Sequence, residues 1–175
     1  MANNTIPTPQ AYLFSAPAGV PGDITRTDES NVEPALLIAV SSVFAQNFGI
    51  PMVYAAGGIS QVGSGNVAAD FAGVLVRQAP GISSNSDALT GNVPNPDQIQ
   101  GLLVRGYCSV LCAAGTPARG GVVYMQITAN GGIAAGSFRA DGTDSGNAVA
   151  LSATQAEWAT TGLDANKNAE LRVAR

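Results

Sequence analysis

Punctuation constrains this chain more than any single motif. Its 175 residues hold 21 glycines and 10 prolines, spaced so that no window sustains the 3.6-residue apolar period of a long helix. Between these breakers lie short strand-like runs at residues 35–40, 52–55, 71–77, 102–112, 122–128, 133–138, 147–151 and 169–173. Residues 155–159 fit either a short strand or one helical turn. Many short strands with turn signals between them predict an all-β fold, a β-sandwich or barrel. Within "GTPARGGVVYMQITANGGIAAGSF" (115–138), Asn-Gly-Gly predicts a hairpin, because Asn and Gly tolerate positive φ. No helix start follows these glycines, so they are sheet corners rather than a phosphate cradle.

The first 34 residues differ from the rest. Pro7, Pro9, Pro17, Pro21 and Pro34 each forbid helix interior and push the preceding residue toward extended backbone. Tyr12, Leu13 and Phe14 are too few to form a core. Residues 1–34 are therefore expected to be an extended Pro-rich N-terminal arm, either disordered or laid across a neighbour, with residues 35–175 as the body. Candidate partner-binding residues are Pro7, Pro9, Tyr12, Leu13, Phe14 and Arg26. Tyr12, Leu13 and Phe14 would anchor on a partner surface. Arg26, beside Asp23, Asp28 and Glu29, would orient the segment, because exposed ion pairs contribute only about 0–1 kcal/mol. Residues 80–100 form a polar Pro/Asn/Ser loop.

Composition removes most chemistry. The chain has no histidine, which excludes Ser-His-Asp and Cys-His relays and His-ligated metals. Its one lysine, Lys167, stands in the very polar "DANKNAE" and reads as solvated. "GSGNVA" (63–68) fits a dinucleotide fingerprint only superficially, since the apolar run at 71–77 leaves no room for the helix that must follow. "DANKNAELRVAR" lacks the Gly at position six and Glu at position twelve of a calcium loop. Asp141 and Asp144 in "RADGTDSG" are the nearest carboxylate pair and read as a turn. No catalytic residue, cofactor or metal is expected. Cys108 and Cys112 lie about 13 Å apart along a regular strand, too far for a disulfide, and read as buried small hydrophobes. No basic run tracks a phosphate backbone, and no apolar stretch is long enough to span a bilayer. Neither nucleic acid nor membrane is an expected partner. Charged residues are only 11%, against a usual ~25%, which suggests a surface covered by other copies or by a partner.

Several stretches together resemble one family. "GVPGDITR" (19–26), "EPALL" (33–37), "FGIPMVY" (48–54), "FAGVLVRQAP" (71–80), "GLLVRGYCSV" (101–110) and "GTPARGGVVYMQI" (115–127) follow one another as in tailed-bacteriophage capsid cement, or decoration, proteins. The resemblance spans roughly residues 19–175. It implies a β-rich, jelly-roll-like virion protein on the outer capsid surface, synthesised in the bacterial host cytoplasm. It also implies binding to the major capsid protein across joints between capsomers, and self-association as a homodimer or homotrimer, with no enzymatic activity. The alternative is a β-sandwich carbohydrate- or receptor-binding module of a fibre or adhesin, using the 80–100 loop. Against that alternative, one tryptophan, Trp158, and 6% aromatics offer little ring surface for sugar stacking.

Overall fold

The structure is a computed structural model of the chain and describes residues 19–38, 48–77, 94 and 97–175. Its strands, in chain order, are β1 (Ile24–Leu36), β2 (Pro51–Ala55), β3 (Gly58–Gln61), β4 (Phe71–Val76), β5 (Ile99–Leu111), β6 (Tyr124–Gln126), β7 (Phe138–Arg139), β8 (Ala148–Ala150), β9 (Ala156–Trp158) and β10 (Asn168–Ala174). They form two antiparallel sheets in a sandwich-like arrangement. The larger runs β3-β2-β4-β5-β10-β9 with β1 also on β5, and the smaller runs β7-β6-β8. The all-β expectation holds. Among the described residues, the only helical element is a 3-10 turn at Ala68–Asp70.

Strand β5 is the spine. β1 pairs with it from Ile99 to Cys108, β4 at Gly101–Leu103, and β10 from Arg105 to Leu111. A strand has two hydrogen-bonding edges, so β4 and β10 lie end to end on the edge opposite β1. The sheet then rolls until the end of β1 meets β3. Leu37 bridges to Ile59, and the Ile38 N–H donates to the Ile59 carbonyl (2.8 Å).

This roll creates two cores. One, around Leu37, Met52, Ile59, Leu75 and Leu102, fills the inside of the curl. The other, around Phe71, Met125, Phe138, Trp158 and Leu171, lies between the two sheets. β4 separates them, and all six of its residues are buried. Phe71, Val74 and Val76 enter one core while Ala72 and Leu75 enter the other. That is why "FAGVLV" reads as a continuous apolar run without alternation. Gly73 breaks the alternation, where the β2–β4 register shifts between Met52 and Val53. Its φ is +155°, and a Cβ there would stand 2.4 Å from the Leu103 carbonyl oxygen.

The expected boundary at residue 34 is corrected in part. β1 spans it, so residues 24–34 are a strand of the sheet rather than a free arm. Proline disfavours regular structure in general but does not exclude it from an edge. Among the described residues β1 pairs with β5 alone, and an edge strand tolerates Pro34 because half its N–H groups face no ladder. Four polar residues, 27–30, bulge out between the pairs Arg26–Tyr107 and Asn31–Arg105. Gly106 lies beneath them with φ +127°, and a Cβ there would approach Ser30 Cα to 2.7 Å. Of the run expected at 35–40, residues 35–36 end β1 and 39–40 fall outside the described residues. β3 was not anticipated, being four residues long between glycine pairs. Of the run at 122–128 only the middle, Tyr124–Gln126, is strand, and of 133–138 only its last residue, Phe138, is strand, beginning β7. The hairpin tip is as expected: Asn130 and Ile133 exchange both backbone hydrogen bonds (3.1 and 2.9 Å) around Gly131 and Gly132, both at positive φ. Residues 155–159 resolve as strand β9.

Gly73→Ala should cost about 3 kcal/mol, since conformational strain and a clash with backbone combine. Gly120→Ala, at φ +73° but facing open space, should cost about 1 kcal/mol from conformation alone. Equal losses in urea unfolding would refute this account of β4.

Candidate functional site

The groups that could carry chemistry are occupied or inert. Cys108 and Cys112 are free and buried, and burial pushes both thiols up from their ordinary value. Asp144 is an ionised carboxylate with every acceptor position used. It takes hydrogen bonds from Gln126 Nε2 (2.7 Å), Arg139 Nη1 (2.9 Å), Asn130 Nδ2 (2.8 Å) and Asn147 Nδ2 (2.9 Å). These donors, Gln126 first, hold its pKa down at about 2. Arg139 is almost wholly buried and also pairs with Asp141 (2.6 Å), so the "RADGTDSG" carboxylates lock the small sheet to its loops. The "GSGNVA" stretch is a side-chain-closed turn, with Asn66 Oδ1 accepting from the Gly63 N–H (2.8 Å) and Asp70 from the Val67 N–H (2.9 Å). It joins β3 to β4 across one 3-10 turn rather than as a tight hairpin. Among the described residues no cluster of three potential metal ligands occurs.

What remains is surface. One face of β1, β5, β10 and β9 carries a row in register: Arg26 opposite Tyr107, Tyr107 opposite Arg172, Arg172 opposite Glu157. Arg26 lies 3.9 Å over the Tyr107 ring and reaches Glu170 with two nitrogens (3.1 and 2.8 Å). Arg172 bonds Glu157 at 2.7 Å. A groove of about 910 Å³ opens beside this row, between Asp28, Glu29 and Arg105. It holds charges of both signs, and Arg172 in its lining is paired with Glu157. Arg26 thus pairs with none of its sequence neighbours Asp23, Asp28 and Glu29. Its guanidinium ties β1 to β10 across β5.

A second feature lies where the chain enters the body. Residues Pro21–Gly22, Phe48–Gly49 and Arg77 meet in one knot. The Arg77 N–H donates to the Gly22 carbonyl (2.9 Å), and Arg77 Nε donates to the Pro21 carbonyl (3.0 Å). The Arg77 guanidinium stands 5.0 Å over the Phe48 ring. Gly49 packs so closely on Gly22 that a Cβ would reach its nitrogen at 2.7 Å. Asn168 Nδ2 holds the Gly19 carbonyl (2.9 Å), fixing the first described residue to β10. Beside the knot runs an apolar groove of about 570 Å³, floored by Phe48, Ile50 and Phe138, walled by Val20, Leu111 and Ile133, with Arg77 and Lys167 at its rim.

Of the residues expected to bind a partner, only Arg26 is placed; Pro7, Pro9, Tyr12, Leu13 and Phe14 lie outside the described residues, as does most of the 80–100 loop. Lys167 is exposed, as expected, and held at φ +62°. The knot and the groove were not anticipated. The signal for them was "GVPGDITR", quoted only for its resemblance. Its Pro-Gly pair is where three distant segments touch.

A family described as "Structural cement protein (E217 gp24/Pam3 gp6)" matches residues 8–174. A search of curated proteins found no match. Among solved structures, a chain of "The capsid of Myoviridae Phage XM1" superposes with a TM-score of 0.63 at 16% identity, covering 95% of this chain and 97% of that one. At that identity the likeness speaks for the fold.

The Asp144 geometry sets an acid limit. Its folded pKa, about 2, lies below the ordinary carboxylate value of 3.8. The stabilisation is therefore complete above about pH 4 and is lost as pH falls toward 2. Asp144→Asn should flatten that limb by about one proton's worth of slope in melts stepped from pH 5 to pH 2. Arg139→Ala, which strands two carboxylates, should lower Tm at neutral pH by roughly 6–20 °C.

Proposed function

The chain belongs to the phage structural cement protein family and is a structural protein of the virion capsid; from that premise we propose that it clamps the outside of the shell across joints between capsomers of the major capsid protein. The match over residues 8–174 carries this reading, because it takes in nearly the whole chain, β-body and N-terminal residues alike. The protein acts by binding alone, without catalysis. Its saturated Asp144, buried thiols and lack of histidine support that.

The mechanism is multivalent. Each copy buries modest area on the shell, and self-association into dimers or trimers links several such contacts, raising avidity without new chemistry. Residues 1–18 extend the reach. Extended backbone spans at most about 3.3–3.6 Å per residue, so this segment could cross a neighbouring subunit. Tyr12, Leu13 and Phe14 are its anchors, with Pro7 and Pro9 keeping it extended. Arg26 positions the segment through β1, since its two bonds to Glu170 fix the strand from which the chain leads back to Gly19. Nothing favours the carbohydrate-binding alternative. Trp158 is buried and donates its indole N–H to the Val122 carbonyl (3.1 Å), so its ring is unavailable for stacking.

Two measurements test this. Added to undecorated shells, the protein should retard them in native electrophoresis and raise their disruption temperature. Deletion of residues 1–18 should leave its own Tm within about 2 °C, because β1 and both cores lie beyond residue 18, yet weaken shell binding about tenfold or more. Full occupancy by the truncated protein would refute the role of the arm.

A further inference from the structure

We propose that the apolar groove beside the Pro21–Phe48–Arg77 knot is a docking site on the body for an extended apolar segment of the shell protein that carries a carboxylate. This rests on the reading above and adds a second point of attachment to it.

Charge selects this groove over the other. The larger groove holds acids and bases together, and the Arg26 and Arg172 beside it already bond Glu170 and Glu157. Among the described residues, the apolar groove has two cations at its rim and no carboxylate in its lining, on a chain of net charge -4. Arg77 is 3.8 Å from Asp23 and engaged with the knot. Lys167 has no hydrogen bond or ion pair of its ammonium group among the described residues. The acids three residues to either side are engaged elsewhere: Asp164 accepts from the N–H groups of Asn166 (2.8 Å) and Asn168 (2.7 Å), and Glu170 pairs with Arg26. The loop thus spends its own carboxylate on its backbone and leaves the lysine uncommitted at the groove.

The apolar walls supply the rest of the fit. Leu111 ends β5 with 44% of its surface exposed, on a strand whose other large apolar side chains are mostly buried. Ile133 projects from the Gly131–Gly132 turn on the opposite side. Phe48, Ile50 and Phe138 form a floor held by both cores. The volume suits a few extended residues, and the floor is fixed before anything binds, which lowers the cost of association. An occupant with an apolar side chain on the floor would bring a carboxylate at its end to Lys167.

The test titrates undecorated shells with full-length wild type, Lys167→Glu, Lys167→Arg, Leu111→Asp and, as a charge control on a different surface, Arg119→Glu. Bound copies are counted by quantitative gel, and the mass of the free protein is read by light scattering. Lys167→Glu and Leu111→Asp should each raise the half-saturating concentration about tenfold, with Lys167→Arg and Arg119→Glu within about twofold of wild type. Both substituted residues are exposed, so the variants should keep the wild-type Tm. Wild-type binding by Lys167→Glu and Leu111→Asp overturns the proposal. A change in mass with Leu111→Asp overturns it in favour of a second copy as occupant. Loss that vanishes when residues 1–18 are also deleted overturns it in favour of the chain's own Tyr12–Phe14. Failure of the wild type to bind shells would refute the parent reading, and the proposal with it.

Discussion

Strand β5 has to be shared. It is long enough to carry β1 along one edge and β4 followed by β10 along the other, and the rest of the molecule follows from that division. β4 brings the curled part of the sheet and its core; β10 brings β9, Trp158 and the contact with the small sheet. Two positions make the sharing possible. Gly73 lets β4 approach the Leu103 backbone, and Gly106 lets the bulged part of β1 pass over β5. Both need backbone angles and clearance that other residues do not provide. A side chain at either would push apart strands that serve two cores at once.

The division also explains the surface. Among the described residues β1 pairs by one edge only and its side chains are largely exposed, and Arg26 is the link that carries its position across to β10 through Glu170. The polar row Arg26–Tyr107–Arg172–Glu157 holds four strands in register on the face that no second sheet covers. With only 11% charged residues in the chain, this internal matching leaves few charges uncommitted, and Lys167 is one of them.

The sequence made the body legible where burial leaves a simple trace. β4 was readable because double-sided burial gives an unbroken apolar run, β5 because it is long, apolar-rich and mostly buried, and the Asn130–Ile133 hairpin because positive φ demands its glycines. β1 was not, for a physical reason. An edge strand with exposed residues, a polar bulge and Pro34 has the composition of a linker, and only pairing with β5 makes it a strand. β3 was too short to announce itself. The knot and the groove escaped because they join residues near 21, 48 and 77, and no local pattern encodes which glycine will face which. The family resemblance was legible because its motifs are the buried strands and tight corners, the parts that packing restricts most. The anchors proposed in the arm rest on composition alone.

The edge of β1 has a consequence for assembly. A capsid surface crowds identical copies at high local concentration, the condition under which an open strand would pair with the next copy and continue into a fibre. Here the four-residue bulge, the acids Asp28, Glu29 and Glu33, and the missing N–H of Pro34 interrupt that edge along its length. Sheet cannot grow from one copy to another through it. Among the described residues, side chains rather than a shared strand are then left to make any contact between copies.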